Sequence, residues 1–198
     1  MSDGVTGKQG TGSAEPKVAP SSEARFLECV KFVLAREGGA HIDRDPNDPG
    51  GTTKYGIDQR DHPNVDVVNL TEAEAIEIYR HEAWDKARCA EMKAPWDLAV
   101  LDSAVNPGIG WVGTNLQKAV GAKVDGLIGP KTLAAVNAAG DQELINFLRA
   151  RCTYYRKRPA KLNGKPFRDR FLDGWLNRVE ILAEATLGSP AADRVMAA

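Results

Sequence analysis

Between Glu37 and Ile57 the chain concentrates groups that can move protons. Glu37 precedes Gly38-Gly39, then come Asp43, Asp45 and Asp48-Pro49-Gly50-Gly51, then Thr52-Thr53-Lys54-Tyr55-Gly56-Ile57. A glutamate followed closely by further carboxylates and hydroxyls suits general acid chemistry with a second group nearby. A calcium loop is the competing reading, because Asp43-x-Asp45-x-Asn47 opens like one. That loop needs glycine at its sixth position and glutamate at its twelfth, where this sequence has Asp48 and Lys54. His41, His62 and His81 show no ligand spacing, so no metal and no other cofactor is expected.

Glu37 falls at the last turn of an apolar-striped segment, where a helix dipole disfavours a carboxylate by ~0.3–1 kcal/mol. One pKa unit corresponds to about 1.36 kcal/mol, so the dipole alone does not make an acid that works near neutral pH. Desolvation must supply the rest. Tyr55, Ile57 and the tryptophans are the candidate walls.

The elements that position this stretch are read from periodicity. Phe26, Leu27, Val30, Val33 and Leu34 form one helical stripe, opened by Ser22 and closed by Gly38-Gly39. The Asp48 to Gly51 turn is expected to deliver Thr52–Ile57 as one extended arm of a small hairpin. Thr71 and Glu74 form a capping box for a helix carrying Ile76, Tyr79, Ala83 and Trp84. After Pro95 comes a nearly all-apolar helix, broken at Asn106-Pro107-Gly108, with Asp97, Asp102 and Ser103 as its exceptions. Further helices are expected over 111–120, 130–139, from Asp141 and from about Phe167. The class is mainly α: a helical bundle around a central apolar helix, with a small β-hairpin beside the active-site loop.

With 198 residues, 42% hydrophobic and 27% charged, the chain can fill one core. A net charge of -1 points to no nucleic-acid partner. Locally, Arg149 to Arg178 holds ten Lys/Arg against Asp169 and Asp173, either a solvated face or a surface for an anionic polymer. Cys29, Cys89 and Cys152 read as small buried hydrophobes of a reducing compartment. No apolar run is long enough for a transmembrane segment, and residues 1–21 lack an export signal and read as a disordered arm.

Glu37-Gly38-Gly39, Asp48-Pro49-Gly50-Gly51, Thr53 and Gly56-Ile57, followed by Asp102-Ser103-Ala104-Val105-Asn106, Leu116-Gln117-Lys118-Ala119 and Asp125 to Thr132, resemble glycoside hydrolase family 108, the phage and bacterial N-acetylmuramidases. The resemblance covers roughly residues 24–186. It implies a lysozyme-like (α+β) fold and hydrolysis of the β-1,4 bond between N-acetylmuramic acid and N-acetylglucosamine in peptidoglycan glycan strands. Residues 22–187 would form one domain, with a catalytic half to 105, a peptidoglycan-binding half from 106, and a tail over 188–198. Glu37 is the implied general acid. Asp48 is the first choice for the second group, with Thr53 orienting water, while Asp45 and Asp43 compete for that role. Tyr55 either lines the sugar site or packs in the core, and Asn106 either bonds an N-acetyl group or caps a helix. Trp84, Trp96, Trp111 and Trp175 read mostly as core by periodicity, with Trp111, beside glycines after Asn106-Pro107, either packing there or facing the cleft to stack on a sugar. The expected protein is a monomeric endolysin, held in the cytoplasm until a separate membrane-permeabilising protein gives it access to the wall. A lytic transglycosylase and a non-catalytic wall-binding or scaffold module are the alternatives.

Overall fold

The computed structural model describes residues 22–42, 51–162 and 164–197. The expected N-terminal arm, and with it Asp43, Asp45 and Asp48, lies outside the described residues.

Helix α1 (Ser22–Leu34) buries Phe26, Cys29, Val30, Val33 and Leu34, the stripe its spacing predicts, except that Leu27 is only half-buried. Past Leu34 the chain tightens, with the amide of Glu37 donating to the Leu34 carbonyl at 3.1 Å. Gly38 (φ 76°) and Gly39 (φ 58°) then turn it away in the left-handed region that favours glycine. Glu37 therefore sits just beyond the helix end.

The hairpin differs from its sequence reading. Thr52–Ile57 is not one arm: β1 (Thr53–Lys54) and β2 (Ile57–Asp58) pair antiparallel, with Thr53 opposite Asp58 and Lys54 opposite Ile57. The reversal is made by Tyr55 (φ 52°) and Gly56 (φ 76°). Two consecutive positive φ values give the tight turn whose twist matches a hairpin. The amide of Tyr55 donates to the Gly39 carbonyl at 3.0 Å, which pins the turn to the loop after α1.

Helix α2 (Glu72–Tyr79) starts on the Thr71 and Glu74 capping box and runs on through a wide, π-type turn over Arg80–Trp84. Helix α3 (Trp96–Ser103) is buried at every position, so the central helix is where the apolar run places it. The run breaks where the sequence places it, at Gly108 (φ 101°, ψ 157°). A second π-type turn over Ala104–Gly108 joins α3 to α4 (Ile109–Ala119). The wide turn accommodates Pro107, which has no amide hydrogen to give to a regular helix.

Helix α5 (Pro130–Ala138) leads to α6 (Asp141–Arg156), which is capped at Gly140 rather than at Asp141. A second hairpin, β3 (Lys161–Leu162) with β4 (Lys165–Pro166), was not expected from the sequence. Helix α7 (Arg168–Leu187) follows, and α3 packs against α1, α4, α6 and α7. Residues 189–196, expected as a tail, form α8 (Ser189–Met196) on α6 and α7, with Ala192 and Val195 buried. The two hairpins are the only sheets among the described residues, and the fold is mainly α and lysozyme-like. No helix among the described residues is long and apolar enough to cross a membrane.

Candidate active site

Glu37 projects into a pocket of about 260 Å³ between the β1–β2 hairpin, α2 and the turn after α3. Ile57, Ile78, Ala83, Ala104 and Val105 form one apolar side, and Asp58, Asp61, His62, Tyr79, Glu82 and Asn106 make the rest of the lining polar. The tryptophans proposed as walls are absent from it. Trp84 and Trp96 are core residues, exposed by only 3% and 1%.

Tyr79 is buried, and its hydroxyl donates to the Tyr55 carbonyl at 2.7 Å, so α2 holds the hairpin turn against the site. Gly56 is packed at the same point. A Cβ there would lie 2.6 Å from the Tyr79 hydroxyl oxygen and 2.8 Å from Glu37 Oε2.

Beneath Glu37 lies an ionic cluster of Asp102, Arg151 and Arg178. Asp102 on α3 is fully buried. It accepts Arg178 Nε at 3.1 Å and Nη2 at 2.8 Å from α7, and Arg151 Nη1 at 2.6 Å from α6. Arg178 Nη1 also donates to Glu37 Oε1 at 2.5 Å. Arg151 Nε donates to the Tyr155 hydroxyl at 2.9 Å, and that hydroxyl donates to Asn106 Oδ1. Buried charges are tolerable only when paired in this way.

The electrostatics follow from burial and these partners. Desolvation raises the Glu37 carboxyl above its ordinary value, and the adjacent Arg178 cation offsets only part of that rise. Burial would also raise Asp102, but Arg151 and Arg178 together outweigh it and hold Asp102 below the ordinary carboxylate range. Burial pushes the Tyr79 phenol up, so it stays neutral.

The residues singled out in the sequence are distributed as follows. Glu37 and Asn106 share the pocket. Thr53 is half-buried in β1 and does not line it, although its cross-strand neighbour Asp58 does. The Tyr55 side chain lines a separate depression with Leu34, Ala35 and Glu72, and only its backbone carbonyl serves the site. Trp111 lies outside the pocket, with ring centroids 5.3 Å from Phe147 and 5.9 Å from Tyr154.

Sequence reasoning missed Asp102, Arg151, Arg178, Tyr79 and Gly56 as site residues. A signal existed for the first three. Asp102 interrupts an apolar helix, Arg151 adjoins Cys152 on the buried stripe of α6, and Arg178 precedes Val179 on that of α7. A carboxylate and two cations at core positions require one another.

Residues 30–108 match the family model described as Glycosyl hydrolase 108. Residues 113–180 match one described as Predicted Peptidoglycan domain. Among solved structures, the chain is similar to SagA of Brucella abortus, with 30% identity, a TM-score of 0.67, and coverage of 88% of this chain and 95% of that one. No curated protein matches the chain. The identity and near-complete coverage, together with a buried carboxyl set in a pocket, lead to one assignment: the chain belongs to the glycosyl hydrolase 108 family and is a glycoside hydrolase that acts on peptidoglycan.

Proposed function

We propose that the protein is an N-acetylmuramidase that hydrolyses the β-1,4 bond between N-acetylmuramic acid and N-acetylglucosamine, with Glu37 as general acid. The observation that carries this reading is a carboxyl only 17% exposed at the inner end of a pocket, with its proton affinity raised by burial. Such a group still holds a proton where ordinary carboxyls have lost theirs. It donates that proton to the glycosidic oxygen as the C1–O bond breaks, and the bond's electron pair leaves with the oxygen. Water then takes C1, and a carboxylate accepts the water's proton. Asp48, which lies outside the described residues, is the first candidate for that second carboxylate, with Thr53 orienting the water and Asp45 and Asp43 as alternatives.

Digestion of purified peptidoglycan with the wild type and with Glu37→Gln tests the reading. The wild type is expected to release fragments with reducing N-acetylmuramic acid ends, while the variant loses activity by at least ~100-fold, the scale of a lost general acid. Equal product yield from both would remove Glu37 from the role. Anhydro-muramoyl ends in the mass spectrum would instead make the enzyme a lytic transglycosylase.

A further inference from the structure

Arg178 divides its guanidinium between two carboxylates. Nε and Nη2 grip Asp102 from one side, at 3.1 and 2.8 Å, and Nη1 reaches Glu37 Oε1 at 2.5 Å. The guanidinium is planar and always charged, so fixing two of its nitrogens fixes the third. With Oε1 occupied, the other oxygen of Glu37, Oε2, lies against the gap left by Gly56, where a Cβ would approach to 2.8 Å.

We propose that Asp102 and Arg178 are positioning residues: they hold Glu37 in one orientation, keep the transferable proton on Oε2, and govern the pH at which the acid gives it up. The inference rests on Glu37 being the general acid.

The charge balance explains how. The cluster holds two cations, Arg151 and Arg178, and two carboxyls, Asp102 and Glu37. With Glu37 ionised the cluster is neutral, and with Glu37 protonated it carries one excess positive charge. Arg178 therefore draws the proton off while burial keeps it on. Asp102 moderates this pull by occupying both cations. Removing Arg178 leaves a neutral Asp102–Arg151 pair, and burial then holds the Glu37 proton to higher pH. Removing the Asp102 charge leaves two unopposed cations, and Glu37 ionises at lower pH.

Other titratable and charged groups stand around Glu37: Tyr79 and Glu82 from α2 and its continuation, and Asp58, Asp61 and His62 from the hairpin and the loop after it. Tyr155 from α6 reaches the site through Asn106, and Arg36 adjoins Glu37 in the chain. All of these stay the same across the variants below, so they cancel in the comparison.

The test is the pH dependence of the initial rate on dilute, purified peptidoglycan sacculi, with folding of each variant checked by thermal melting. For Arg178→Met the alkaline limb is expected to move up by about one to three pH units, the usual influence of an adjacent arginine on a carboxyl. For Asp102→Asn it is expected to move down. Arg178→Lys keeps the charge but loses the fork, so its rate falls with little change in the limb. Limbs that stay put, or move in the same direction in both neutralising variants, overturn the proposal. If Asp102→Asn does not fold, Arg178→Met decides alone: an upward shift supports the proposal, and no shift or a downward one overturns it. Failure of the general-acid reading is distinguishable, because Glu37→Gln would then remain active whatever Arg178 does.

Discussion

At Gly56 the backbone passes so close to the site that a side chain has no room. Gly56→Ala would need to displace both the Tyr79 hydroxyl and Glu37 Oε2, at a φ of 76° that costs an L-residue about 1–2 kcal/mol. The expected result is a thermal midpoint lowered by several degrees and a disproportionate loss of peptidoglycan hydrolysis; unchanged activity would show that the contact does not matter. Glu37 also carries a stability signature. Its carboxyl is raised in the fold, so the native state binds the proton more tightly than the unfolded chain does. The stability it contributes is greatest in acid and declines as pH rises from the ordinary carboxylate value through the raised one. Calorimetry of Glu37→Gln against wild type should show the difference moving in the variant's favour as pH rises above the ordinary carboxylate value of about 4.3 and levelling off above the raised one. A constant difference would contradict the raised value. Asp102 has the opposite sign: its stabilisation is present above about pH 3.9 and is lost as pH falls through its depressed folded value.

Among the elements, those with a local chemical cause were legible in the sequence. The Thr71 and Glu74 capping box forms as its spacing requires, with the Thr71 amide donating to Glu74 Oε2 at 2.8 Å. The α1 stripe and the all-apolar α3 follow from burial alone. The hairpin turn was not legible, because Tyr55 occupies a left-handed position usually taken by asparagine or glycine. What holds it there is tertiary: the Tyr79 hydroxyl on its carbonyl and the Gly39 carbonyl on its amide. Helix α8 was missed because its short, alanine-rich sequence shows little until α6 and α7 supply a surface for Ala192 and Val195. Val195→Asp would bury an unpaired charge in that contact. A loss of stability of about 2 kcal/mol or more is expected in urea titration, and a neutral effect would mean that α8 detaches at no cost.

At the scale of the whole molecule, both family segments contribute to the ionic cluster beneath the pocket. Glu37, Tyr79 and Asp102 lie within residues 30–108, while Arg151 and Arg178 lie within residues 113–180. The basic character of the 149–178 region is reduced accordingly, because two of its cations are buried and neutralised inside. The other eight Lys/Arg, against Asp169 and Asp173, still give the region a positive balance. Co-sedimentation with cell wall should therefore weaken from low to high salt, and salt-independent binding would assign adsorption to other contacts.

The bond between Glu37 and Arg178 spans 141 residues of sequence. During synthesis the buried carboxyl emerges long before the arginine that holds it, so a growing chain passes through a long interval with Glu37 present and unanchored. Activity should accordingly switch on late and at once, when α7 docks. A chain cut between α1 and α7 would keep its stretch of motifs and still be silent whenever the two pieces drift apart.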